Sequence, residues 1–269
     1  MLISRIAAAA LTLAVIAGFI FSSFAGSPEE KTMPEENVQK IIDSVYLPES
    51  FLRAASYDCM GKRKNSLEAV KAGLENAANC FELNVAFKAD GTPVLAENEK
   101  YITKSSDTLE DVFKFVSEKS GNYYFIINLT GFGEFDVLKE LCEEYDNYSK
   151  VYLTGVNDVP ADFLYSELAS FMKLYSVSDV DLTDSEKCAE LASYAMSNGF
   201  TGIICDIGCM TEEFANAIND PHCGITYYVS GVESEYDIYR ALSFSPYGIV
   251  ASSPDVLYET MRNGGLLNR

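Results

Sequence analysis

Glu82 lies inside an apolar run, between Phe81 and Leu83, and Asn84 follows two residues later. If the run is a strand, alternation turns both polar side chains to one face. A carboxylate on a buried face needs a metal, a cation or a proton, because a bare charge in low dielectric is prohibitive. It is also satisfied as a purely structural group if Arg53 or Asn84 bonds it. Glu97, after a tight turn and a second short strand, is a further carboxylate that with Glu82 would hold a cation or act as an acid of raised pKa. Arg53 and the run Lys62, Arg63, Lys64 are the basic residues of this region, suited to a phosphate or carboxylate group. Cys205, Cys209, His222 and Cys223 are only a loose match to zinc-ligand spacing, and Cys205 reads as core. Asp206 either caps the next helix or faces a cavity.

Eight apolar runs must position these groups: residues 51–55, 80–85, 123–129, 150–156, 173–178, 201–207, 225–230 and 247–252. Between them the spacing is helical, as in Leu67, Val70, Leu74, Ala77 and in Leu109, Val112, Phe113, Val116. Capping-box spacing places helix starts at Asn65 with Glu68 and at Thr183 with Glu186. Near-continuous apolar strands alternating with amphipathic helices predict an α/β fold with a parallel sheet, and eight units suit a closed (β/α)₈ TIM barrel. A doubly wound open sheet is the competing architecture. In a barrel, the functional groups belong at the C-terminal ends of the strands, where Arg53, Glu82, Asn84, Asn128, Asp206, Ser230 and Ser252 are expected.

The chain has 269 residues, 48% of them hydrophobic, enough for one large domain with a buried core. Forty Asp and Glu against 20 Lys and Arg give a net charge of −20, which argues against nucleic acid and anionic lipid as partners. Residues 1–26 carry one Arg5 and an unbroken apolar run over residues 6–21. This reads as a signal peptide or as an N-terminal membrane anchor over residues 6–24, placing the rest outside the cytoplasm, secreted or anchored, with membrane contact only through this segment. Residues 27–48 read as an acidic linker followed by a short lead-in helix over residues 38–45, and residues 49–269 as the barrel. Seven scattered cysteines do not form a disulfide framework in the sequence.

The segments LRAAS at 52–56, KNS at 64–66, FELNV at 81–85, DGTPVLAEN at 90–98 and GIVASSPDVL at 248–257 resemble, in order and spacing, the glycerophosphodiester phosphodiesterase family. They correspond to its His-Arg-Gly, Glu-Asn-Thr, Glu-Leu-Asp-Val, Asp-Gly-x-Pro-Val-x-x-His-Asp and Thr-Asp-x-Pro motifs. The resemblance implies a TIM barrel of the phospholipase-C-like type in which a carboxylate-held divalent cation polarises a phosphodiester and two histidines serve as acid and base. By the same resemblance Arg53 and Asn65 are phosphate- or ligand-binding and Glu82 is a metal ligand. Leu52 replaces the first histidine, Glu97 and Asn98 replace the second His-Asp pair, and Lys64 replaces a glutamate. Asn84 and Asn128 replace metal-ligating carboxylates, Thr130 a lysine, and Ser252 a late aspartate.

The chain has one histidine, His222, expected at the opposite end of the barrel, so no histidine acid–base pair exists. The expected function is therefore an exported, catalytically degenerate pseudoenzyme with a residual pocket for a glycerophosphodiester or another small ligand. The alternative is an active phosphoric diester hydrolase of lipid metabolism, with a metal site rebuilt from Glu82 and Glu97. The expected cofactor is none, or a weakly held Mg²⁺ or Ca²⁺ if the protein is active. A barrel acting only through a surface patch is the third class.

Overall fold

The structure, a computed structural model, describes residues 31–131, 135–177, 182–219 and 223–268. Contacts divide the chain into Met1–Met33 and Pro34–Arg269. The N-terminal segment expected to be a signal peptide or anchor, and His222, lie outside the described residues. Among the described residues, no helix is long and apolar enough to cross a membrane.

Within Pro34–Arg269, helix α1 (Glu35–Ser44) leads into β1 (Leu52–Ala55), and strands and helices then alternate. They are α2 (Leu67–Glu75), β2 (Cys80–Phe87), β3 (Pro93–Leu95), α3 (Leu109–Ser117), β4 (Tyr124–Leu129), α4 (Phe135–Glu144) and β5 (Val151–Thr154). The remainder are α5 (Ala161–Ser166), β6 (Met172–Val177), α6 (Ser185–Ser197), β7 (Gly202–Asp206), α7 (Glu212–Ile218), β8 (Thr226–Val232), α8 (Glu235–Ser243), β9 (Gly248–Ala251) and α9 (Pro254–Asn263). Each of the eight apolar runs contains one parallel strand. β1 pairs in parallel with both β2 and β9, so the sheet is closed and the open doubly wound alternative is excluded. β3 is the extra strand: it returns antiparallel on β2 through the Lys88–Thr92 turn, in which Gly91 takes φ +85°.

Alternation divides the side chains into two cores. Leu52, Ala54, Cys80, Ile126, Leu174, Ile204, Tyr228 and Val250 fill the barrel lumen, with Tyr124 and Tyr152 against them. The intervening residues, among them Phe81, Leu83, Phe125 and Ile127, pack outward under the helices. Three tyrosines line the lumen of a fold that usually fills it with branched aliphatics; the Tyr152 and Tyr228 rings meet edge-on at 5.5 Å.

Two helix starts differ from the predicted capping boxes by one residue. Ser66, not Asn65, caps α2 by accepting from the Ala69 N–H, and Asp184, not Thr183, caps α6 by accepting from the Glu186 and Lys187 N–H groups. Asn65 is unavailable as a cap because its Oδ1 accepts the Asn84 N–H at 2.9 Å. A complete capping box does form at Thr108 and Asp111, starting α3.

Candidate functional site

The C-terminal mouth of the barrel is where the lumen changes from apolar to polar. On β2, Cys80 lies in the lumen, so Glu82 and Asn84 continue that face upward. Asn84 registers with Asn128 on β4, and Asn128 with Thr154 on β5. The Asn128 Nδ2 donates to the Asn84 Oδ1 at 2.7 Å, closing the two amides on each other. By the same alternation Ser176, Asp206, Ser230 and Ser252 face the mouth from β6 to β9.

Glu82 is half-buried in this ring, whose other carboxylate, Asp206, is exposed. Burial pushes its pKa up to about 7; the Tyr57 N–H, donating to the carboxylate, opposes the shift, and the neighbouring Asp58 adds to it. Tyr57 and Asp58 follow β1 directly, and Asp58 accepts the Ser56 hydroxyl at 2.7 Å. Lys64 lies 4.0 Å from Asp58 and above the Tyr57 ring. Glu97 is exposed on the segment after β3 and is not among the groups that shift Glu82.

Two expectations on β1 are corrected. Leu52 and Ala54 face the lumen, so Arg53 between them points outward under the helices, not into the mouth. Its Nε donates to the Ala77 carbonyl at 3.2 Å, and its guanidinium lies 5.7 Å from the Tyr258 ring of α9. Burial lowers its pKa. Leu52 is likewise remote from the mouth: it opens β1 opposite Gly248, the first residue of β9. The mouth end of β1 carries Ser56 and Tyr57, which the resemblance did not single out. The period of two counted from Leu52 and Ala54 finds Ser56, while Tyr57 lies past the strand.

Asp206 is exposed at the mouth. Its Oδ1 accepts the Gly208 N–H at 2.7 Å, and its other oxygen lies over Gly231, which takes φ +71°. Cys205 is buried core, with its thiol pKa pushed up to about 12 by burial, while Cys209 and Cys223 are half-buried. Among the described residues, no three His, Cys, Asp or Glu side chains gather as a metal-binding group. The donor set at the mouth, Glu82 with two amides bonded to each other and an exposed Asp206 whose Oδ1 is taken by the Gly208 N–H, falls short of the several anionic oxygens on which Mg²⁺ or Ca²⁺ depend.

A separate cavity of about 400 Å³ opens beside the mouth, between the β1–α2 loop and the segment after β3. Asn65 and Lys64 form one side of it and Glu97 and Tyr101 the other.

No protein-family model and no curated protein matches the sequence at a significant level. The fold does have solved counterparts. A candidate glycerophosphodiester phosphodiesterase from Galdieria sulphuraria superposes with a TM-score of 0.66 at 15% identity, over 78% of this chain and 97% of its own. A glycerophosphodiester phosphodiesterase from Agrobacterium tumefaciens gives 0.60 at 13% identity, over 78% and 98%. A phosphodiesterase from Oleispira antarctica, in complex with the product sn-glycerol-3-phosphate, gives 0.60 at 11% identity, over 82% and 99%. The structural neighbours are thus glycerophosphodiester phosphodiesterases, and the shared feature is the closed (β/α)₈ barrel.

Proposed function

We propose that this chain is a glycerophosphodiester phosphodiesterase-like barrel that no longer catalyses phosphodiester hydrolysis and acts outside the cytoplasm as a binding domain for a small polar ligand. The observation that carries this reading is the Asn84–Asn128 amide pair at the mouth. Where the resemblance expects two further carboxylates, one amide donates to the other, and Glu82 is left with a pKa near neutral. Glu82, with Asp206 already held by the Gly208 N–H, falls short of the anionic charge that a hard divalent cation requires. The described mouth also holds no imidazole, and losing one positioned acid or base typically costs ~10²–10⁴ in rate. The apolar run at residues 6–21 supports export.

The test is turnover. The full chain in neutral detergent is incubated with glycerophosphodiesters, with and without Mg²⁺ or Ca²⁺, beside Glu82→Gln, and released glycerol phosphate is measured. Release no higher than that of the variant is the expected outcome. Metal-dependent release that Glu82→Gln abolishes would overturn the proposal and establish the hydrolase built on Glu82 and Glu97.

A further inference from the structure

The cavity beside the mouth contains a polar group that the fold leaves unsatisfied. Asn65 has a left-handed backbone (φ +46°) and is 6% exposed. Its backbone N–H donates to the Tyr57 carbonyl at 2.8 Å, and its Oδ1 accepts from the Asn84 N–H at 2.9 Å. The bond from the Asn84 N–H fixes which way the amide faces, because a donor must meet the oxygen, so its Nδ2 is the end left over. That nitrogen is buried and has no hydrogen-bond partner. Buried donors are almost always paired, and an orphan calls for an explanation such as a ligand acceptor.

The surroundings favour an acceptor that carries negative charge. Lys64, next in sequence, is exposed and held only loosely, 4.0 Å from Asp58. Arg63, on the same wall, is paired with Asp107 at 2.7 Å and retains further guanidinium N–H groups. Thr103, Ser105 and Ser106 turn their hydroxyls toward one another on the far side. Glu97 opposes an anion from the same cavity, but it is exposed and its side chain can swing to solvent. The Asn65 Nδ2 is buried, so a ligand reaches it only by displacing a side chain of this cavity, and Lys64 and Glu97 are among the exposed ones.

We propose that this side cavity, not the barrel lumen, is an oxyanion site that takes the phosphate or carboxylate group of a small ligand on the Asn65 Nδ2 and the Lys64 ammonium. The inference rests on reading the chain as a binding domain and adds the ligand class and the place. It is read by binding and not by turnover, and its two donors, Asn65 and Lys64, are not the groups that a hydrolase built on Glu82 and Glu97 would use.

Equilibrium dialysis of the full chain in neutral detergent, at low ionic strength, tests it with radiolabelled inorganic phosphate and, separately, acetate. Saturable 1:1 binding of at least one probe at millimolar concentration is expected, and which probe binds identifies the source of the oxyanion. Asn65→Asp keeps the acceptor for Asn84 and tolerates the left-handed backbone, yet places a negative charge where the donor was. It should weaken binding at least about tenfold, and Lys64→Gln by roughly fivefold, while Glu97→Gln should strengthen it. Lys64 and Glu97 are exposed, so those two variants carry the test even if Asn65→Asp melts early. Absence of saturable binding of either probe at tens of millimolar, or binding that none of the three substitutions alters, would overturn the proposal while leaving catalytic silence to its own assay.

Discussion

Replacing Glu82 by Gln should make the barrel more stable at pH 8 and leave it nearly unchanged at pH 5. In the folded chain the Glu82 pKa is raised from 4.5 to about 7, chiefly by burial. A carboxyl group whose folded pKa exceeds its unfolded value binds more protons in the native state, so unfolding free energy falls with pH between the two values. Its stability is intact below about pH 4.5 and is lost progressively up to about pH 7. A shift of this size corresponds to ~3 kcal/mol, and allowing for the partial exposure of the residue we take ~2–3 kcal/mol. Gln removes the ionisation and keeps a carbonyl oxygen for the Tyr57 N–H. Thermal and urea unfolding of both proteins at pH 5, 6.5 and 8 should show a difference that grows with pH, reaching roughly 4–10 °C in melting temperature. The other carboxylates titrate in both proteins and drop out of the comparison. A pH-independent difference, or a variant less stable than the parent at pH 8, would refute the buried, unpaired carboxylate on which the functional reading depends.

Restoring acid at the mouth should restore cation binding: the double substitution Asn84→Asp with Asn128→Glu, beside Glu82, should gain a Ca²⁺-dependent rise in melting temperature that the parent lacks. At a ligand concentration ten times the Kd the gain is ~1.4 kcal/mol, several degrees, and its absence would show that the backbone no longer holds these positions in ligating geometry. Gly231→Ala should cost ~1–2 kcal/mol in urea unfolding from its left-handed backbone alone, with Asp206 displaced as well, since an added Cβ would sit 2.2 Å from the Asp206 Oδ2. Adding Asp206→Ala should recover only the smaller, steric part. Arg53→Ala should lower stability by ~1–3 kcal/mol through lost packing and the freed Ala77 carbonyl, with oxyanion binding unchanged in dialysis. The reverse pattern would return Arg53 to the ligand.

The eight strands were readable because each is an apolar run bounded by polar turns, and a strand covered on both faces needs little else. Closure was readable only from the count of eight units, since it depends on Leu52–Ala55 meeting Gly248–Ala251, a pairing between distant parts of the chain that leaves no local mark. Glu82 and Asn84 were placed correctly by a period of two within a single strand. Arg53 was misplaced by the same rule: matching motif letters fixed its position in the chain but not the parity of β1, and an odd offset sends a side chain to the opposite face. Asn65 was expected to start a helix, but as a cap it lost to Ser66, because its amide was already engaged with Asn84. Tyr57 and Asp58, which with burial set the charge state of Glu82, lie just past a strand where neither period applies.

On the proposed reading, the amide pair is also what would let such a mouth keep its fold without a cation. Carboxylates at positions 82, 84 and 128 would need a bound cation to coexist above an apolar lumen, and without one their repulsion and desolvation would act against folding. Once cation binding weakens, neutral amides at 84 and 128 relieve that strain at once, and the single Asn128-to-Asn84 hydrogen bond joins β2 to β4 where the metal would otherwise have done so. The remaining carboxylate can then stay only as a weak acid, held near neutrality by burial and anchored by one backbone N–H. On this argument Glu82 is the least stable element of the mouth and the amide pair its replacement support. Breaking the pair with Asn128→Leu should therefore destabilise the barrel by ~1–3 kcal/mol in urea unfolding, because Asn84 would be left unpartnered, and an unchanged unfolding midpoint would mean that the pair supports nothing.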